Sequence, residues 1–153
     1  MSKEESGGQT PPVRRHDDVL GYLLKHAYLA SEEQTDAALA ELQVTSRELG
    51  ALRVIASGEA SSQQEVAAVL GVDRTSMVAL LDRLEDTGIV ARHPAPQDRR
   101  RNLIELTPAG RELFDRAEQV AVASEREFVA ALGARRASEL RQALRDVLST
   151  ASV

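Results

Sequence analysis

Residues 61–107, SSQQEVAAVLGVDRTSMVALLDRLEDTGIVARHPAPQDRRRNLIELT, constrain the fold most, because their start and stop signals leave room for two short helices and nothing longer. Ser62 and Glu65 have the spacing of a capping box, so a helix starts at Gln63 and runs to Leu70, with Val66, Val69 and Leu70 as its expected buried face. Gly71 supplies a tight turn. Asp73 caps a second helix whose apolar face is Met77, Val78, Leu80, Leu81 and Leu84, and Gly88 is its expected C-cap. Two helices joined by a tight glycine turn are a helix-turn-helix. Residues 89–93 and 102–106 read as short strands. The loop between them, 94–101, is too long and too proline-rich for a two-residue turn and is expected to project as a wing.

The flanks read as helical scaffold. Residues 1–15 are polar, with Gly-Gly and Pro-Pro pairs, and are expected to form a mobile tail. A helix is expected from an Asp17 N-cap to about Leu42, interrupted near residues 31–34, with Val19, Leu20, Leu23, Leu24, Ala27 and Tyr28 at helical spacing. Thr45 and Glu48 form a second capping box, and Val44 with Leu49 has the spacing of a hydrophobic staple. The helix that follows is expected to bury Leu49, Leu52, Ile55 and Ala56 and to end at Gly58. Thr107 then Pro108 is an N-cap followed by proline at the first helical position. The helix after it places Leu113, Ala117, Val120, Ser124 and Phe128 on one face and is expected to end at Gly133; a last helix carries Leu140, Leu144, Val147 and Leu148. The expected class is therefore mainly α with a small β-hairpin wing.

Bulk composition excludes several functions. At 153 residues the chain is one domain's length, and with 3% aromatics its core must be built from aliphatic residues. No apolar run approaches the roughly 20 residues of a membrane helix, and the N-terminus lacks the apolar core of a secretory signal, so no membrane partner is expected. With no cysteine there is no disulfide, thiolate metal site or thiol sensor, which fits a cytoplasmic protein. His16, His26 and His93 are too dispersed for a local metal motif, and no nucleophile motif or Gly-rich phosphate loop stands out; neither metal, cofactor nor enzymatic activity is expected.

The net charge of −5 argues against nucleic acid only if charge is spread evenly. Between Ile89 and Ile104 lie Arg92, Arg99, Arg100 and Arg101 against Asp98, a local net of four minus one, or +3. In a helix-turn-helix the second helix enters the major groove and its N-terminal residues meet base edges. Here those residues are Arg74, Thr75 and Ser76, with Ala79 one turn on offering only a small apolar surface. Arg83 either holds phosphate or pairs with Asp86. Backbone donors near Ser62 suit a phosphate oxygen. Arg99, Arg100 and Arg101 on a hairpin suit a minor groove, with Asp98 orienting Arg100. A solvated basic loop is the competing account of the arginines, and a winged helix used for protein contacts is the competing function.

The chain from about Val19 to Leu148 resembles the MarR family of bacterial transcriptional regulators. The most specific piece is DRRRNLIELTPAG, residues 98–110, which looks like the family's wing. The piece DRTSMVALLDRLEDTGIV similarly resembles its recognition helix and the glycine turn after it. By position, Asp98 and Arg100 correspond to the wing acid and the minor-groove arginine, and Arg74, Thr75 and Ser76 to the base-reading helix start. The family's next position is often polar or basic; here it is Ala79. The resemblance implies a homodimeric repressor of a palindromic double-stranded operator. It implies a dimerisation region, 16–44 and 107–150, around a winged helix-turn-helix lobe, 45–106. It also implies release by a small, anionic or aromatic effector bound between the two. Tyr22 and His26, one turn apart, lie beside the expected effector pocket, though ordinary amphipathic packing also accounts for them. Arg53 either attracts an anionic effector or is an exposed helix residue.

Overall fold

The computed structural model describes residues 13, 15–58, 60, 62–95 and 102–151. Tertiary contacts divide the chain into a unit ending at Ala30 and a unit beginning at Ser31. Among the described residues are six α-helices and one hairpin, with short 3-10 turns between some of them: α1 Leu20–Leu39, α2 Ser46–Ser57, α3 Gln63–Leu70, α4 Arg74–Asp86, β1 Val90–Pro94, β2 Asn102–Leu106, α5 Pro108–Phe128 and α6 Gly133–Thr150. The mainly α class with a hairpin is as expected.

Asp17 does not cap the first helix. It lies in a 3-10 turn, His16–Asp18, where its carboxylate accepts from Arg15 at 2.8 Å, and α1 begins only at Leu20. The polar residues 31–34 continue the helix, so the expected interruption is absent. One reason is tertiary: the Gln34 side chain donates to the Ser124 carbonyl of α5 at 2.9 Å, which satisfies it without breaking the helix. Asp36 then accepts from the Ser46 amide at 2.6 Å, fastening the start of α2. Between them a 3-10 turn, Ala40–Leu42, ends on Gln43 in the left-handed region at φ 54°.

Both capping boxes form. Thr45 accepts from the Glu48 amide while Glu48 accepts from the Thr45 amide, and Ser62 and Glu65 repeat the arrangement. Such local bonds set the starts of α2 and α3 independently of packing. Gly58 ends α2 at φ 74°, as its place in the sequence demands. Gly133 does not end α5, which stops at Phe128; a 3-10 turn, Ala130–Leu132, intervenes, and Gly133 opens α6.

The core of the second unit is built around α2, which touches α3, α5 and β2. Leu49, Leu52, Val66, Met77 and Leu81 have no exposed surface, and each contributes about 1.5–3 kcal/mol relative to an exposed position. Two expected core residues are outside it. Ala56 is exposed, with Ala51 and Val54 buried instead, because α2 is covered on more than one side. Val69 is 51% exposed, because α3 packs through Val66 and Ala67. The hairpin is antiparallel, with Val90 opposite Leu106 and Pro94 opposite Asn102. Leu20, Leu23, Leu24 and Tyr28 in the first unit, and Leu140, Leu144, Val147 and Leu148 of α6, are exposed.

Candidate nucleic-acid interface

The turn between α3 and α4 is made by paired bonds from Gly71 to the Ala68 carbonyl (3.2 Å) and from Val72 to the Ala67 carbonyl (3.0 Å). Gly71 sits at φ 61°, the conformation this cap needs. Asp73 then caps α4: its carboxylate accepts from the Ser76 hydroxyl at 2.7 Å and the Ser76 amide at 2.9 Å. These bonds, the hydroxyl's first, hold the Asp73 carboxyl below the usual carboxylate range. α4 turns Met77, Leu81 and Leu84 into the core and leaves Arg74, Thr75, Ser76 and Ala79 exposed. The four expected base-reading positions are therefore all exposed at the start of one helix. With its proton directed at Asp73, Ser76 offers its oxygen outward as an acceptor.

Arg83 is not paired with Asp86. Its Nη1 donates to Glu48 of α2, whose carboxylate is 5% exposed, and its Nη2 donates to the Gln43 carbonyl at 3.2 Å. Arg92, counted with the wing by sequence, is likewise engaged: it bridges Asp82 (2.7 Å) and Glu85, and its side chain is 17% exposed. Burial lowers its pKa, but the two carboxylates outweigh that and the net shift is upward. Its charge thus serves the packing of β1 on α4. Asp98, Arg99, Arg100 and Arg101 lie outside the described residues. Ser62 is buried, and its hydroxyl accepts from the Glu65 amide at 3.3 Å, so its side chain is committed to the cap.

Two contacts that position the hairpin are not legible in the sequence, which places Thr107 only as a helix cap and Gly110 only within the wing segment. Thr107, besides capping α5, donates its hydroxyl to the Gly88 carbonyl at 2.6 Å. Gly110 lies so close to Ile89 that a Cβ there would stand 1.9 Å from its carbonyl oxygen. The only sequence signal for either was the segment LTPAG itself. Together they fasten the start of α5 to the junction where α4 ends and β1 begins.

Of the expected effector residues, Tyr22 and His26 stack with ring centres 4.0 Å apart, and His16 meets Tyr22 edge-on at 5.5 Å. Arg53 is ion-paired with Glu118 of α5. A cavity of about 320 Å³ lies among α2, α4 and α5, lined in part by Leu42, Val44, Glu48, Arg83, Leu113 and Arg116; Arg53 does not line it. Among the described residues no cluster of metal ligands is present, and no helix is long and apolar enough to cross a membrane.

An HTH-type transcriptional repressor of Mycobacterium tuberculosis is 34% identical to this chain over 128 residues, covering 84% of this chain and 92% of the repressor. The chain belongs to the MarR family. The MarR family model itself matches residues 42–101, the segment that holds α2, the helix-turn-helix and β1. Among solved structures, the transcriptional repressor CouR bound to a 23-mer DNA duplex superposes with a TM-score of 0.77 at 30% identity, covering 93% of this chain and 99% of that one. A mutant of E. coli MarR complexed with operator DNA also gives 0.77, at 28% identity, covering 84% and 93%. MarR proteins are transcriptional regulators and not enzymes.

Proposed function

We propose that this MarR protein is a homodimeric repressor that binds a palindromic DNA operator and leaves it when a small effector binds. The observation that carries the reading is the exposed start of α4, Arg74, Thr75, Ser76 and Ala79, on a helix whose Met77, Leu81 and Leu84 are locked in the core. A rigid helix with a polar outward N-terminal end is what major-groove readout requires. DNA complexes of similar proteins support it. The exposed leucines of α6 and of the first unit supply apolar surface for a second copy. The dimerisation region is assigned to 16–44 and 107–150, and the DNA-binding lobe to 45–106. Asp98, Arg99, Arg100 and Arg101 are assigned to the wing and the minor groove.

For effector release, the cavity among α2, α4 and α5 is the candidate seat, since a ligand there touches the recognition helix directly. A ligand displaces DNA only if it binds the DNA-free arrangement more tightly.

Selection from a randomised duplex pool, run with wild type and Arg100→Ala, tests the reading. Enrichment of a palindrome with half-sites about one helical turn apart, weakened in the variant, is the expected result. Absence of enrichment at low salt by protein shown to carry no bound ligand would sink it.

A further inference from the structure

We propose that Glu48 and Arg83 form a positioning clamp that sets the angle at which the recognition helix α4 is presented to DNA, and that Arg83 acts through this pair and not as a phosphate ligand. The proposal rests on the DNA-binding reading above and adds a buried residue of α2 to the machinery of operator recognition.

The clamp is visible in how each acceptor is used. One oxygen of the buried Glu48 carboxylate accepts from the Thr45 amide (2.8 Å) and hydroxyl (3.1 Å). The other accepts from Arg83. The second terminal nitrogen of Arg83 donates to the carbonyl of Gln43, at the left-handed bend where the chain enters α2. A single guanidinium therefore ties the last turn of α4 to the cap of α2 and to the linker before it. The tie is directional as well as attractive, because a guanidinium fork fixes the planes of the groups it joins.

Its position gives it leverage. α4 is held at its start by the Asp73 cap and the Gly71 turn, and Arg83 lies nine residues beyond Arg74, roughly 14 Å along the axis. Beyond that start α4 is held by Leu81 and Leu84 in the core and by Arg92 on Asp82 and Glu85, and Arg83 is its tie to the cap of α2; loss of that tie lets the end of α4 shift towards the cavity beside Glu48 and Arg83. Base readout needs placement within about 0.5 Å and 10–20°, so a small pivot is enough to degrade it.

Glu48→Gln separates these roles, because glutamine at this position still completes the capping box while removing the charge that holds Arg83. The experiment measures affinity for the selected operator and for a scrambled duplex across a salt series, with wild type, Glu48→Gln, Arg83→Gln and the double variant. The folded fraction of each is checked by thermal melting. A clamp predicts that each single variant loses about tenfold in the operator-to-scrambled ratio, and that the double variant loses no more than either single. The salt slope should stay unchanged. Scrambled-duplex affinity should also hold, whereas mere unfolding would weaken both duplexes alike. A phosphate ligand predicts the opposite pattern: Arg83→Gln weakens both duplexes equally and lowers the salt slope by about 0.9, while Glu48→Gln tightens binding. That pattern, or wild-type selectivity in both single variants, overturns the clamp. If the wild type selects no operator at all, it is the DNA-binding reading that fails, and the clamp with it. In a parallel readout without DNA, amide exchange in the last turn of α4 should quicken in Glu48→Gln; unchanged protection there also overturns the clamp.

Discussion

The carbonyl oxygen of Ile89 stands 1.9 Å from the point where residue 110 would carry a Cβ, so Gly110 is the residue that lets α5 start against the turn that follows α4. Backbone cannot retreat as the tip of a side chain can. Gly110→Ala is therefore expected to destabilise the protein by about 1–3 kcal/mol, the usual range for overpacking. Gly50 is the contrast: it lies inside α2, where an added Cβ meets only Leu70 Cδ2 at an ordinary 3.6 Å. Gly50→Ala should stabilise by about 0.4–1 kcal/mol through the unfolded chain's lost freedom. Urea unfolding of both variants at one protein concentration checks the pair, and opposite signs are expected.

The Asp73 cap makes a pH prediction. Its folded-state pKa is lowered, chiefly by the Ser76 hydroxyl and then by the Ser76 amide. The carboxylate form thus favours the folded state. Its contribution is complete above the unfolded carboxyl value of about 3.9 and fades as pH falls through the lower folded value. The stability gap between wild type and Asp73→Asn should shrink as pH drops from 5 towards 2. Urea midpoints across that window measure it, and a gap that stays constant would contradict the assignment.

Arg92 separates packing charge from DNA charge. Because it bridges Asp82 and Glu85, Arg92→Gln should cost about 1 kcal/mol of stability. It should leave the salt dependence of operator binding unchanged. Arg100→Ala should do the reverse, reducing the slope by about 0.9 with little effect on stability. Paired salt titrations and melts of the two variants distinguish them.

The exposed face of α6 predicts an association defect. Leu144, Val147 and Leu148 are at least 38% exposed in the single chain, more than isolated surface leucines require. Leu148→Glu is expected to weaken self-association by about 30-fold or more, as charge placed in an apolar interface does. Sedimentation equilibrium measures the change, and self-association equal to that of the wild type would contradict the assignment of this face.

The reading from sequence succeeded where the physics is local. The capping boxes at Thr45 and Ser62, the Asp73 cap and the left-handed Gly58 and Gly71 each depend on bonds spanning a few residues, so residue type and spacing suffice to place them. The outward residues of α4 were legible for the same reason: helical periodicity sorts Met77 and Leu81 from Thr75, Ser76 and Ala79 without reference to any other element, while Arg74 shares the azimuth of Leu81 and is exposed as the first residue of the helix. What the tertiary structure alone decided are matters of convergence. Arg83 and Asp86 are neighbours on one helix, but the fold brings Glu48, 35 residues away, to the guanidinium first. Arg92 looks like a wing cation until the hairpin folds it onto Asp82 and Glu85. Residues 31–34 read as a break until Ser124 is there to receive Gln34. Ion pairing, burial and close backbone approach depend on which distant groups arrive together, and spacing along the chain does not encode that in any local pattern.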